Sequence, residues 1–129
     1  MAEVEQVALA FVERINERDL NGLVDLMTED HAFIDEDGDE QRGRDAMREG
    51  WREYFRLFPE YKIHLTRVVA VGDTVVLIGR TSGSQVPREI EAEETVIWAA
   101  WVDSGLVREW HILYADTEKA RRLLGGGET

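Results

Sequence analysis

Two carboxylates, an imidazole and a phenol stand where this sequence could bring them together. His31, Phe33 and Asp35 alternate with Ala32 and Ile34, the period of a short strand, so their side chains share one face. At ~3.3 Å per residue, the backbone positions of His31 and Asp35 lie roughly 13 Å apart. An aspartate set in an apolar pocket is harder to ionise and can move protons near neutral pH. The same Asp35 opens the string Asp35-Glu36-Asp37-Gly38, where it can instead shape a turn, and His31 can be either its partner or a structural histidine. Trp110, Ile112, Tyr114 and Asp116 share a second strand face. That makes Asp116 and Asp35 a candidate acid/base pair, with Tyr114 as hydrogen-bond donor. Asp116 is also well placed to cap a terminal helix.

Other chemistries are excluded by what the chain lacks. Its 129 residues contain no cysteine, so there is no disulfide, no zinc-thiolate site and no thiol nucleophile. His31, His64 and His111 have no i, i+4 pairing, which argues against zinc. The run from Glu29 to Glu40 holds seven acids and no Lys or Arg, yet it is not a calcium loop. Counted from Asp35, the glycine falls at the fourth position rather than the sixth, and the twelfth is Ala46 rather than Glu. No GxSxG, glycine-rich phosphate loop or dinucleotide fingerprint occurs. The expectation is a protein with no metal and no cofactor. A net charge of −12 disfavours nucleic acid and anionic membrane surfaces, and no apolar run approaches the ~20 residues of a membrane span. The first residues carry no basic segment, so no signal peptide is expected and the default location is the cytoplasm.

The elements that must position these groups follow from periodicity. Val4, Val7, Ala8, Phe11, Val12 and Ile15 predict an amphipathic helix over 4–16. Asp19 caps a second, shorter helix carrying Leu20, Leu23, Val24 and Met27, which Thr28-Glu29-Asp30 ends. After the short strand and the Asp37-Gly38-Asp39 turn, a third helix starts near Asp45. Met47, Trp51, Phe55 and Phe58 form its stripe, with Tyr54 beside it, and Pro59 stops it. Strands then follow from Tyr61, from Thr74 to Thr81, from Glu89 to Val102 and from Leu106 to Ala115. Residues 82–88 read as a loop, Asp103-Ser104-Gly105 as a hairpin turn, and Glu118 to Leu124 as a terminal helix. Helices followed by an antiparallel meander predict a single α+β domain over 1–129, ordered over about 3–124. Its strongly curved sheet, packed on a long helix, would enclose a pocket. Four tryptophans in such a chain suit a flat hydrophobic ligand.

The strings Asn16-Glu17-Arg18-Asp19-Leu20-Asn21-Gly22, Thr28-Glu29-Asp30-His31-Ala32-Phe33-Ile34-Asp35, Gly43-Arg44-Asp45-Ala46-Met47, Val71-Gly72-Asp73 and Gly105-Leu106-Val107-Arg108-Glu109-Trp110 span nearly the whole chain. In this order they resemble the nuclear-transport-factor-2-like superfamily, in its SnoaL-like and ketosteroid-isomerase-like branch. The resemblance implies a cone-shaped α+β barrel of cystatin-like type, a pocket between helices and concave sheet, and a homodimer through the outer sheet face. It puts Asp35 at the place of the general base, and an acid near Asp116. It turns Ile97, Ala99 and Trp101 inward and Val96, Trp98 and Ala100 towards a dimer partner. The expected ligand wall is then Phe11, Phe33, Trp51, Phe55, Ile97, Trp101, Trp110 and Ile112.

Steroid isomerisation is not expected. The family's oxyanion-hole tyrosine and aspartic acid align with Phe11 and Ile97, which donate no hydrogen bond. What remains is a pocket for a small hydrophobic molecule, with cofactor-free acid/base chemistry of isomerase, cyclase, dehydratase or epoxide-hydrolase type. The alternative is a non-catalytic module of the same fold that binds a ligand or a protein. The acidic loop beside the pocket favours a neutral or cationic ligand.

Overall fold

A computed structural model describes residues 3–114, with side chains through Leu113. The terminal helix expected over 118–124, and Asp116 with it, lie outside the described residues. Among those described are four helices and six strands. The order is α1 (Glu3–Glu17), α2 (Leu20–Asp25), β1 (Met27–Ile34), β2 (Glu40–Arg42), α3 (Arg44–Leu57), β3 (Lys62–Val71), β4 (Thr74–Ser82), α4 (Arg88–Glu91), β5 (Val96–Asp103) and β6 (Leu106–Tyr114). The strands form one sheet in the order β2-β1-β6-β5-β4-β3, with β2 and β3 as open edges.

The α+β class is as the patterning implies, but the sheet is mixed. β3 to β6 form the antiparallel meander, while β1 runs parallel to β6. That parallel pair brings the His31–Asp35 segment beside Trp110 and His111, with Phe33 opposite Trp110. Two expected boundaries move. Met27 begins β1 rather than ending α2, so the first strand has eight residues. The segment read as the start of a long strand at Glu89 instead forms α4, and β5 begins at Val96.

α1 buries Ala8, Phe11, Val12 and Ile15 on the concave face of the sheet. Each such side chain contributes roughly 1.5–3 kcal/mol on leaving water, less for alanine. Arg18 ends the helix at a positive φ of 57°. Its guanidinium holds the carbonyls of Pro59, Asn16 (3.1 Å) and Tyr61 (3.0 Å), so the α3–β3 connection is tied to the end of α1. Asn16 adds a strand-like pair of bonds to the edge of β3. Its amide donates to the Ile63 carbonyl at 3.0 Å, and its oxygen accepts from the Ile63 N–H at 2.8 Å. Asp19 caps α2 as expected, accepting from Gly22 N–H at 3.0 Å.

The sheet bends at Gly79. The β3–β4 register slips between Leu65 and Arg67, and a Cβ on Gly79 would sit 2.0 Å from the His64 carbonyl oxygen. Only glycine permits that approach, and the bulge turns the end of the sheet.

Alternation sorts the strands into two faces. Val75, Leu77, Val96, Trp98, Ala100, Val102, Val107 and Trp110 join the core under α1. Val76, Ile97, Ala99 and Leu113 form a separate cluster on the outer face, with Ile78 and Trp101 packed on it. This inverts the expected orientation of the central strand: Ile97 and Trp101 point away from the interior, and Trp98 points into it. Ile97, Ala99 and Leu113 are already 0–5% exposed within the single chain, so the apolar character of this face does not by itself call for a partner.

Candidate functional site

The sequence of α3 builds one wall of a cavity. Trp51, Tyr54, Phe55 and Phe58 recur at i, i+3, i+4 and i+7 and therefore form one stripe. Their rings interlock: Trp51 meets Tyr54 edge-on at 6.2 Å and Phe55 at 5.5 Å, and Tyr54 meets Phe58 at 4.8 Å and Tyr61 at 5.0 Å. Phe33 of β1 closes on Trp51 from the sheet side at 6.3 Å. Between this stripe, the β1–β2 hairpin and the inner face of β6 lies a cavity of about 330 Å³, lined among others by Phe33, Asp35, Trp51, Tyr54, Trp110 and Ile112. That is the low end of the volume range for small-molecule sites. An adjoining chamber of about 60 Å³ shares Glu36, Tyr54, Tyr61, Gln85 and Ile112 with it and reaches Thr81, Glu91 and Trp98.

Asp35 stands in the cavity wall, half-buried, and also shapes the turn. Its Oδ1 accepts from the N–H groups of Asp37 and Asp39, each at 2.9 Å. Its backbone closes the same hairpin through Asp39 and Gly38. Asp35 thus shapes the turn and also lines the cavity. One carboxylate oxygen is held by the turn, and Oδ2 accepts no hydrogen bond from the described residues.

His31 shares the inner face with Phe33 and Asp35 but lines neither chamber. It is fully buried, stacked on Phe11 at 5.8 Å, with Nδ1 2.7 Å from the Val107 carbonyl. Because a carbonyl only accepts, the proton sits on Nδ1, and Nε2 is buried without a partner among the described residues. Burial holds the imidazole below its ordinary pKa, against the smaller opposing effects of the Val107 bond and the Asp30 charge. A neutral histidine locked to a backbone carbonyl is a core residue, and the expected convergence of His31 with Asp35 is not formed.

Of the expected ligand wall, Phe33, Trp51, Trp110 and Ile112 line the cavity. Phe11 lies behind it, packed on Trp110 at 4.7 Å, and Phe55 lies behind Trp51. Ile97 and Trp101 are on the opposite face of the sheet, where Trp101 meets the His111 ring at 6.3 Å. Tyr114 pairs with Val96 at the end of β6, but its side chain, like Asp116, is outside the described set. The Asp35–Asp116–Tyr114 group therefore lies partly outside the described residues. Among the described residues no cluster of three or more His, Asp or Glu could hold a metal ion, and no helix is long and apolar enough to cross a membrane.

A model of the SnoaL-like domain matches residues 8–110. The chain belongs to the SnoaL-like domain family. No curated protein sequence matches it. Among solved structures, an uncharacterised cystatin-fold protein from Novosphingobium aromaticivorans aligns at 18% identity and a TM-score of 0.74, covering 88% of this chain and 98% of the other. A candidate SnoaL-like polyketide cyclase from Shewanella putrefaciens aligns at 17% identity and a TM-score of 0.74, over 97% and 88% of the two chains. A candidate ketosteroid isomerase from Kribbella flavida gives 17% identity and a TM-score of 0.69, over 89% and 79%. At such identities the likeness is one of fold, and activity must be argued from the site.

This SnoaL-like domain carries two polar residues at its cavity that sequence reasoning missed. Gln85 accepts a hydrogen bond of 2.7 Å from the Tyr54 hydroxyl. Glu91 is only 5% exposed, and its Oε2 accepts from the Thr81 hydroxyl at 2.5 Å and from Ser84 N–H at 3.3 Å. A signal for its helix exists. Pro87 precedes Arg88-Glu89-Ile90-Glu91, and proline followed by acids is helix-start chemistry. Nothing local marks Glu91 as buried.

Proposed function

We propose that this SnoaL-like protein binds a small, largely apolar molecule in the cavity beside α3 and catalyses cofactor-free proton transfer on it, with Asp35 as the base. The observation that carries the reading is Asp35 Oδ2, a carboxylate oxygen with no hydrogen-bond donor from the described residues, in a cavity wall that it shares with Phe33, Trp51, Trp110 and Ile112 as well as the polar Glu36, Gln41 and Gln85. The two turn N–H groups fix the carboxylate on Oδ1 and leave the other oxygen to accept a substrate proton. The Tyr54 hydroxyl, whose single proton goes to Gln85 in this structure, would turn from Gln85 to donate to a carbonyl oxygen that gains charge as the proton leaves. The reaction class is removal of a proton next to a carbonyl, the first step of isomerisation, aldol-type cyclisation or dehydration. Asp116 and Tyr114 remain candidates for the returning acid, and a homodimer and a cytoplasmic location remain expectations of the same reading.

A second reading, a non-catalytic ligand-binding module, is favoured by the absence, among the described residues, of an acid/base partner at Asp35 and by the sequestration of His31. A hydrophobic ligand panel followed by tryptophan fluorescence separates the two, because Trp51 and Trp110 line the cavity. Under the catalytic reading, Asp35→Asn retains binding of a hit and loses its conversion. Binding with no conversion of any ligand by the unmodified protein supports the module.

A further inference from the structure

The charges around the two chambers are one-sided. Asp35 and Glu36 stand in the larger, and Glu36, Glu91 and Glu94 in the smaller; no described Lys, Arg or His lines either. None of these four acids is in an ion pair with a described residue. Glu91 is the decisive one. It is 5% exposed, its Oε2 is occupied by Thr81 and Ser84, and its Oε1 accepts no hydrogen bond from the described residues. With two hydrogen bonds and no described counter-charge, this carboxylate favours a positive group beside it. Aromatic rings also line the space: Trp98 and Tyr61 at the smaller chamber, Trp51 and Trp110 at the larger. Ring faces attract ammonium groups, more strongly when water is excluded. The smaller chamber, about 60 Å³, has room for a compact head group.

We propose that the ligand of this cavity is an organic amine in its ammonium form, with an aryl or alkyl body in the larger chamber and its positive centre in the smaller one, held by Glu91. The proposal rests on the ligand-binding reading above and specifies its substrate class. A carboxylate ligand is disfavoured by the same arrangement, since it would face four acids with no cation among the described lining residues.

The test uses 2-phenylethylammonium, its neutral carbon analogue propylbenzene, and phenylacetate, titrated into the full chain with tryptophan fluorescence and calorimetry as readouts. The expected result is binding of the ammonium at least tenfold tighter than propylbenzene, with phenylacetate not bound. Glu91→Gln keeps an oxygen for Thr81 and Ser84, and should abolish the ammonium's tenfold advantage over propylbenzene. Propylbenzene binding as tightly as the ammonium overturns the amine proposal and leaves the cavity reading standing. An ammonium preference that survives Glu91→Gln overturns the assignment to Glu91. No binding of any of the three overturns both readings. Should Glu91→Gln fail to fold, the comparison of the three compounds on the unmodified chain still decides the ligand class.

Discussion

His31 gives the fold a pH dependence whose sign and ceiling follow from the structure. It is fully buried, donates Nδ1–H to the Val107 carbonyl and has an unpartnered Nε2, so the folded protein holds it neutral. Its folded pKa lies below the ordinary value of 6.5 because burial penalises the cation. Below that value the unfolded chain therefore binds a proton that the folded chain refuses. Stability from this group is complete above about 6.5 and is lost as pH falls towards the folded pKa. With one proton at stake, the loss between about pH 7.5 and 5.5 is at most about 1.4 kcal/mol. For a chain of this length that corresponds to about 5 °C in Tm. The acidic chain also relieves its own repulsion as pH falls, so the effect must be read as a difference. His31→Asn keeps a donor for Val107 and does not titrate, and serves as reference. Urea unfolding of both proteins across this range should show the unmodified protein losing stability relative to His31→Asn as pH falls. A flat difference, or one growing in the opposite direction, would show that His31 is charged in the folded state and refute the argument.

Gly79→Ala should unfold the protein or lower its Tm by more than 10 °C, since the new Cβ meets the His64 carbonyl at 2.0 Å, and circular dichroism melts check this. Asn16→Ala removes both bonds to Ile63 and should cost about 1–3 kcal/mol in denaturant unfolding without changing the family of ligands bound. Phe11→Ala, at a site with 0% exposure between His31 and Trp110, should cost about 3–5 kcal/mol, read as a shift in the urea midpoint.

Much of the site was legible because its elements have strong periods. The α3 stripe of Met47, Trp51, Phe55 and Phe58 and the inner face of His31, Phe33 and Asp35 follow from spacing alone. The central strand was not legible in the same way. In Val96–Val102 both parities are apolar, so alternation has no sign, and a one-residue slip exchanges Trp98 for Ile97 and Trp101. β2 was missed because Glu40, Gln41 and Arg42 are all exposed and carry no apolar pattern. Met27 was assigned to the helix because its helical spacing from Leu23 and Val24 also suits a buried strand end. Glu91 was missed because a four-residue helix has too few positions to show a period, and because its burial depends on Thr81, distant in the sheet.

The central claim is that Asp35 takes a proton from a ligand held against Trp51 and Trp110. Its most direct test is proton NMR of deuterium incorporation next to the carbonyl in a panel of aryl ketones, neutral and amine-bearing, with the unmodified protein and with Asp35→Asn. The account predicts protein-dependent exchange that falls by about 100-fold or more in the variant while binding persists. Equal exchange rates in the two proteins, with the ketone bound by both, would contradict it.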